Sequence, residues 1–357
     1  MNLPQLNIGK KSTTVPIIQG GMGVGISLSN LASSVANTGG IGIISGVQIG
    51  FREDDFESNT NEANKRALTK EIRRAKMLSP NGIIGVNLMV AMNNYHDMVE
   101  IALEEKVDLI ISGAGLPKDL PSLVKGSSTK IAPIVSSAKA ANLITKLWLR
   151  RYDYLPDLII VEGPDAGGHL GFSTEELNID IYPQLEDIVK DVIDTISPFE
   201  KSKGKKIPII AAGGIFYGSD IAKFIKLGAS GVQMGTRFVA TYECDASKEY
   251  KEAYLNSTKD NIGIIKSPAG MPGQAIINPF IERIQSKREK ISKCYNCLAP
   301  CNPATTPYCI SKALINAVNG DIDNGLVFIG KNGYRLKKLV SVRELIDELI
   351  IEMKKVR

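Results

Sequence analysis

The chain has 357 residues, of which 43% are hydrophobic and 23% charged, with a formal net charge of +5. That composition belongs to a soluble globular protein of one large domain or two ordinary ones, and the charge is too small to argue for nucleic acid. No apolar run reaches the roughly 18 residues needed to span a bilayer, and Met1-Asn2-Leu3-Pro4-Gln5 lacks a charged-then-apolar leader, so a cytoplasmic location without membrane partners is expected.

Eight short runs rich in Val, Ile and Leu recur along the first two thirds of the chain: Val15–Gly20, Gly40–Ser45, Ile83–Met89, Val107–Ser112, Ile131–Ser136, Asp157–Glu162, Ile207–Ala212 and Gly231–Gly235. Their apolar character is continuous, as it is in parallel strands covered on both faces. Helical spacing fills most of the gaps, at Ser29–Thr38, Tyr95–Glu105, Ala138–Leu149, Leu185–Ile196 and Ser219–Leu227. The charged stretch Gly50–Pro80 reads as a helical excursion after the second strand. Eight β-then-α units predict an α/β fold, a TIM (β/α)₈ barrel over residues 1–241. A doubly wound open sheet competes, but no Gly-x-Gly-x-x-Gly opens a helix after the first strand.

Residues 242–357 lie beyond the eighth strand and are expected to form a C-terminal helical appendage, which could serve a homodimer interface. Helical patterns fall at Lys248–Asn256, Pro279–Lys293 and Ser311–Asn319, and a last helix runs from Ser341 to Lys354, where Ser341 with Glu344 makes a capping box. Cys294, Cys297, Cys301 and Cys309 fall within sixteen residues of this appendage, whereas Cys244 stands alone and reads as a small buried residue. In a reducing compartment such clustering points to a metal before disulfides. Four close thiolates suit either a tetrahedral zinc or a [4Fe–4S] cluster, with free thiols or a redox disulfide as the remaining reading. A single Cys-x₂-Cys knuckle favours the cluster over zinc.

In a barrel the functional residues sit where strands end. Those ends carry Gly20-Gly21-Met22, Asn87, Ser136, Asp165-Ala166-Gly167-Gly168-His169, Gly213-Gly214 and Gly235-Thr236-Arg237. The seventh and eighth loops are the usual phosphate site of barrels, where glycines let backbone N–H groups approach closely. His169 is one of only two histidines. An imidazole with a pKa near 6.5 can give or take a proton at neutral pH. The other histidine, His96 in a polar helix start, reads as surface. Asp165 reads as a turn former or the partner of a cation, and Arg237 as near the phosphate or paired with an acid.

Pro16-Ile17-Ile18-Gln19-Gly20-Gly21-Met22, Gly-Pro-Asp-Ala-Gly-Gly-His, Ala-Ala-Gly-Gly-Ile and Gly-Val-Gln-Met-Gly-Thr-Arg-Phe together resemble the nitronate monooxygenase (2-nitropropane dioxygenase-like) family, which includes the FMN-dependent enoyl-ACP reductase. The resemblance implies FMN held without covalent linkage. Gly20, Gly21 and Met22 would line the isoalloxazine, Asn87 would hydrogen-bond the ring, Gly168 would lie along the ribityl chain, and Gly213-Gly214 with Gly235-Thr236 would hold the phosphate. It makes His169 the active-site histidine and Ser267–Gly273 a lid over the flavin. The implied activity is oxidation of alkyl nitronates or similar carbanion-type small molecules. An NAD(P)H-dependent enoyl thioester reductase is the first alternative, and a redox sensor or electron-transfer flavoprotein the second. The Cys-x₂-Cys-x₃-Cys core departs from the family and is similar to that of iron–sulfur flavoenzymes related to 2,4-dienoyl-CoA reductase.

Overall fold

The computed structural model describes residues 3–178 and 182–356. Its eight central strands are β1 (Ile17–Gln19), β2 (Ile41–Ser45), β3 (Ile83–Met89), β4 (Leu109–Gly113), β5 (Lys130–Val135), β6 (Ile159–Glu162), β7 (Ile209–Ala212) and β8 (Gly231–Met234). Each of the eight apolar runs overlaps one of them. All pairings are parallel and follow chain order, and the barrel closes where β8 pairs with β1, Val232 opposite Ile17 and Met234 opposite Gln19. Closure rules out the open doubly wound sheet.

The continuous apolar runs are explained by side chains alternating between two cores. Ile18, Ile43, Ile111, Ile160 and Ile210 point into the barrel and pack on one another. Their neighbours Ile17, Ile44, Ile110, Ile159 and Ile209 point outward under the helices. Both faces are therefore dry, and no polar alternation is tolerated. At the end remote from the strand C-termini, a short antiparallel hairpin of Asn7–Ile8 with Lys11–Ser12 brings Leu6 and Ile8 into the inner core.

The outer helices match the expected segments: Ser29–Asn37, Thr60–Leu78 within the charged excursion, Tyr95–Glu104, Ala138–Tyr152, Leu185–Lys203 and Gly218–Lys226. The last helix, Val342–Lys355, is capped as expected: Ser341 Oγ accepts from the Glu344 N–H at 3.2 Å, and the Glu344 carboxylate accepts from the Ser341 N–H at 2.7 Å. Its buried stripe of Val342, Leu345, Ile346, Leu349 and Met353 follows the helical repeat. The stripe lies on Gly218–Lys226 so closely that a Cβ on Gly218 would stand 2.1 Å from the Leu349 carbonyl oxygen.

One part of the C-terminal region departs from expectation. The helix from Pro279 stops at Ser286 instead of reaching Lys293. Beyond it the run Lys287-Arg288-Glu289-Lys290 has no apolar stripe, and Arg288 instead donates to the carbonyls of Pro303 at 2.7 Å and Thr306 at 3.0 Å. The segment expected as a lid, Ser267–Gly273, spans the turn of a hairpin and places Met271 in the cavity at the strand C-termini: Ile262–Lys266 pairs antiparallel with Pro272–Ile276, whose Gly273 and Gln274 pair with His169 and Gly168. No helix among the described residues is long and apolar enough to cross a membrane.

The tightest packing in the barrel wall gives a direct test. A Cβ on Gly42 of β2 would lie 1.8 Å from the Ala32 carbonyl oxygen in the adjoining helix. Gly42→Ala is expected to lose at least the ~1–3 kcal/mol typical of overpacking, seen as a lower midpoint in urea unfolding. An unchanged midpoint would show that this helix seats elsewhere.

Candidate active site

The strand C-termini surround a cavity of about 300 Å³. Every residue expected to hold a cofactor lines it: Gly20, Gly21 and Met22 after β1, Asn87 in β3, Gly168 after β6, Gly213 and Gly214 after β7, and Gly235 and Thr236 after β8. His169 lines it too. The sequence thus places ten residues from five separate stretches at one rim.

Close approach explains the glycines at two of these points. A Cβ on Gly21 would lie 2.3 Å from the Asn87 Cβ, so any side chain there would drive the first loop off β3. Gly213 and Gly214 have φ of +95° and +76°, in the left-handed region where side chains are strained. The β1–β8 seam fixes the spacing of the first and last loops: the Gly20 N–H donates to the Met234 carbonyl at 2.8 Å, and the Met22 N–H to Ser27 Oγ at 2.8 Å.

His169 sits on the small antiparallel sheet beside the cavity. Its Nε2 is 2.6 Å from Ser267 Oγ, and the Phe328 ring meets it edge-on with centroids 5.0 Å apart. Ser267 Oγ also accepts from the Ala269 N–H at 3.2 Å, leaving its own proton free to donate to the imidazole. Burial pushes the His169 pKa down to about 4, so the ring is neutral at physiological pH.

Several residues of the site carried no recognised signal. Glu162 ends β6 and lines the cavity, and burial raises its carboxyl to about 7. Gln233 in β8 also lines the cavity, with its Oε1 buried and unpartnered. Finally, the segment from Phe328 to Asn332 crosses three of the loops. Gly330 N–H donates to Thr236 Oγ1 at 3.2 Å, Lys331 N–H to the Asp165 carbonyl at 3.1 Å, and the Asn332 amide to the Gly214 carbonyl at 2.5 Å. Lys331 also pairs with the Asp165 carboxylate at 3.1 Å, which resolves Asp165 as the partner of a cation. Only the turn residues Gly330-Lys331-Asn332-Gly333 hinted at this strap.

The remaining candidates lie elsewhere. Arg237 is buried away from the cavity; it donates to the Phe216 carbonyl at 3.0 Å and pairs with Glu348 of the last helix at 2.9 Å. His96 is on the surface, 2.9 Å from Asp119. Cys244 is buried, and its thiol lies 3.5 Å from the Ile26 carbonyl.

The four clustered cysteines lie in the segment that follows the helix from Pro279. Cys294, Cys297, Cys301 and Cys309 are free thiols, and among the described residues no three His, Cys, Asp or Glu side chains converge to hold a metal ion. The segment is instead fixed by its backbone. Ala299 N–H donates to the Ala91 carbonyl at 2.9 Å, Asn93 N–H donates to the Cys297 carbonyl at 3.3 Å, and Met92 bridges Leu298. Cys297 and Cys301 pack into an apolar cluster with Phe280, Leu298 and Tyr308. Burial raises the Cys297 thiol to about 11.

The cavity fits an FMN. Its rim is glycine backbone, a Cβ at Gly168 would project into open space, and the orphaned Gln233 Oε1 is an acceptor awaiting a donor. Gly213-Gly214 and Gly235-Thr236 stand where barrels hold a phosphate.

The family model for nitronate monooxygenase matches residues 5–352, and the chain belongs to that family of FMN-dependent oxidoreductases. A probable nitronate monooxygenase of Staphylococcus aureus is 27% identical over 298 residues, covering 76% of this chain and 78% of the relative. A (3aS,4S,5R,7aS)-5-hydroxy-7a-methyl-1-oxo-octahydro-1H-indene-4-carboxyl-CoA dehydrogenase of Mycobacterium tuberculosis is 27% identical over 271 residues; the match takes in 76% of this chain and 65% of that protein. Among solved structures, FabK from Thermotoga maritima is similar with a TM-score of 0.73 at 27% identity, covering 95% of this chain and 93% of its own. The nitroalkane oxidase of Streptomyces ansochromogenes shares the fold, with a TM-score of 0.73 at 20% identity and 96% of each chain covered.

Two measurements check this site. Because Glu162 has a raised pKa in the folded protein, the unfolded chain gives up that proton first, and stability is lost as pH rises from about 4.5 to about 7. Glu162→Gln is therefore expected to gain more stability at pH 8 than at pH 5 in urea melts run without added FMN, and an equal effect at both would contradict the raised value. Elemental analysis of anaerobically purified protein decides whether the four cysteines hold a metal: neither iron nor zinc in stoichiometric amount would leave them free thiols. A full complement of either would restore the cysteines as ligands.

Proposed function

We propose that this protein oxidises alkyl nitronates or similar carbanion-type small molecules, with FMN at the glycine rim and His169 managing the substrate proton. In this reading residues 1–241 form the flavin-binding barrel and residues 242–357 an extension that supplies the hairpin, the strap and the last helix. When bound, FMN supplies a two-electron acceptor; the chain positions the substrate and controls its protons. The observation that carries the reading is a neutral, buried imidazole, oriented by Ser267, opening on the cavity that all the glycine loops line.

The residues divide the work. Gly213-Gly214 and Gly235-Thr236 would anchor the phosphate, with the strap over them holding Thr236 and Gly214 in place. Gly20, Gly21, Met22 and Asn87 would flank the ring, and Gln233 would use its free acceptor toward it. With the Ser267 hydroxyl donating to Nε2 of His169, Nδ1 would carry the ring proton and could offer it to an anionic substrate oxygen. A neutral donor holds such an anion without fixing it as an ion pair. The five thiols, none paired in a disulfide among the described residues, suit a cytoplasmic setting.

A second reading is an enoyl-thioester reductase drawing on NAD(P)H. The Mycobacterium tuberculosis relative favours it, since its name describes a dehydrogenase of an acyl-CoA.

One experiment separates the two. Flavin-loaded protein is expected to turn over nitronates aerobically and to fail to oxidise NADH anaerobically with a crotonyl thioester. His169→Ala is expected to lower kcat/KM by about 10²–10⁴-fold, the usual contribution of a positioned acid or base, at unchanged flavin content. The profile of kcat/KM should show no break near pH 6.5 from this residue, because its pKa lies near 4. NADH turnover without nitronate turnover would instead establish the reductase.

A further inference from the structure

A second cavity of about 420 Å³ opens beside the first, within the range of small-molecule sites. The two share Val47, Met89, His169 and Leu314 in their walls, so they meet at the imidazole. The Cys294–Leu298 segment forms one wall of the second cavity, and the excursion after β2 forms another.

The chemistry of this chamber is that of a neutral, apolar tail. Met89, Met92, Leu298, Ile310 and Leu314 give it aliphatic and thioether walls, and methionines adapt to chains of varied shape. Its buried polar groups satisfy one another. Gln48 donates to Ser311 Oγ at 2.9 Å, Asn64 donates to Gln48 Oε1 at 2.8 Å, and Gly50 N–H donates to Asn64 Oδ1 at 2.8 Å. The charges around it are paired within the protein: Lys293 with Glu57, and Asp97 with Lys65 at 3.2 Å. A carboxylate or phosphate inside would meet no free cation, whereas a hydrocarbon chain would leave no polar group unsatisfied.

We propose that this chamber receives the uncharged aliphatic tail of the substrate, making medium-chain aliphatic compounds, and not the shortest nitronates, the preferred class. The proposal rests on His169 as the residue at the reacting carbon. The wall that confers the preference is the cysteine-rich segment, whose thiols then serve packing and access.

The test uses the full-length, flavin-loaded protein. Straight-chain 1-nitroalkanes from nitroethane to 1-nitrodecane are titrated by calorimetry, the matching nitronates are assayed for turnover, and 1-alkanols of the same lengths probe the tail alone. Each buried methylene is expected to tighten binding about fourfold, from ~0.8 kcal/mol per CH₂, until the chamber is filled. The same trend should appear in KM of the nitronates. Leu298→Trp, which fills the chamber from its cysteine-rich wall, is expected to flatten the trend relative to its own shortest homologue. Binding indifferent to chain length in the unaltered protein, or an undiminished trend in a folded Leu298→Trp, would overturn the proposal. A chain-length trend among the alkanols without turnover of any nitronate would uphold the chamber and remove the nitronate reading. Should the variant fail to fold, the series on the unaltered protein decides.

Discussion

The seam between β8 and β1 is the constraint on which the rest of this structure depends. Three parallel residue pairs and the bond from Gly20 N–H to the Met234 carbonyl close eight strands into a ring. Without the seam, the first loop and the last two would be distant in space, as they are in sequence. With it, Gly20-Gly21-Met22 and Gly235-Thr236 become neighbours across one rim, and Asn87 comes against Gly21 from the third strand. A ring packed dry inside and out cannot easily shift one strand against another, so loop positions are set by the barrel instead of by the loops' own contacts.

On this rigid base the C-terminal region adds two pieces that the barrel lacks. The hairpin of Ile262–Lys266 and Pro272–Ile276 borrows Gly168 and His169 as its third strand, which fixes the imidazole's backbone while the hairpin's turn supplies Ser267. The strap from Phe328 to Asn332 ties the loops after β6, β7 and β8 together through Asp165, Gly214 and Thr236. The last helix holds this arrangement from outside, since its Glu348 pairs with the buried Arg237 just past Thr236. One chain segment therefore serves both the histidine and the phosphate side of the rim.

How much of this was legible in the sequence follows from range. Continuous apolar runs with glycine ends report burial on both faces, a local property, and each of the eight runs overlaps a strand. The rim residues were legible because the strand ends are the only places such a barrel can present them. Ser267, the strap and Gln233 were not, because each acquires meaning only from a partner far away in the chain, across 98 residues for Ser267 and His169. Glu162 was visible as the end of a strand, but its unusual acidity arises from a closed cavity that no local pattern encodes. The overlong helix from Pro279 shows the converse error: charges alone were read as a helix face where no apolar stripe continued.

The cysteines show how little spacing settles without geometry. Four thiols within sixteen residues meet the spacing for a metal, yet spacing constrains only the chain's reach and not where it is tied. Here Ala299, Asn93 and Arg288 anchor the segment to the loop after β3 and to its own turns, leaving Cys294 exposed and Cys297 and Cys301 half-buried in apolar packing. A thiol desolvated without a cation beside it is held as the neutral form, which packs like a small hydrophobe and binds metal poorly. Neutral, half-buried sulfur beside Met89, Met92 and Leu298 is a suitable lining for an apolar chamber, the wall that on the proposal above shapes which substrate reaches His169.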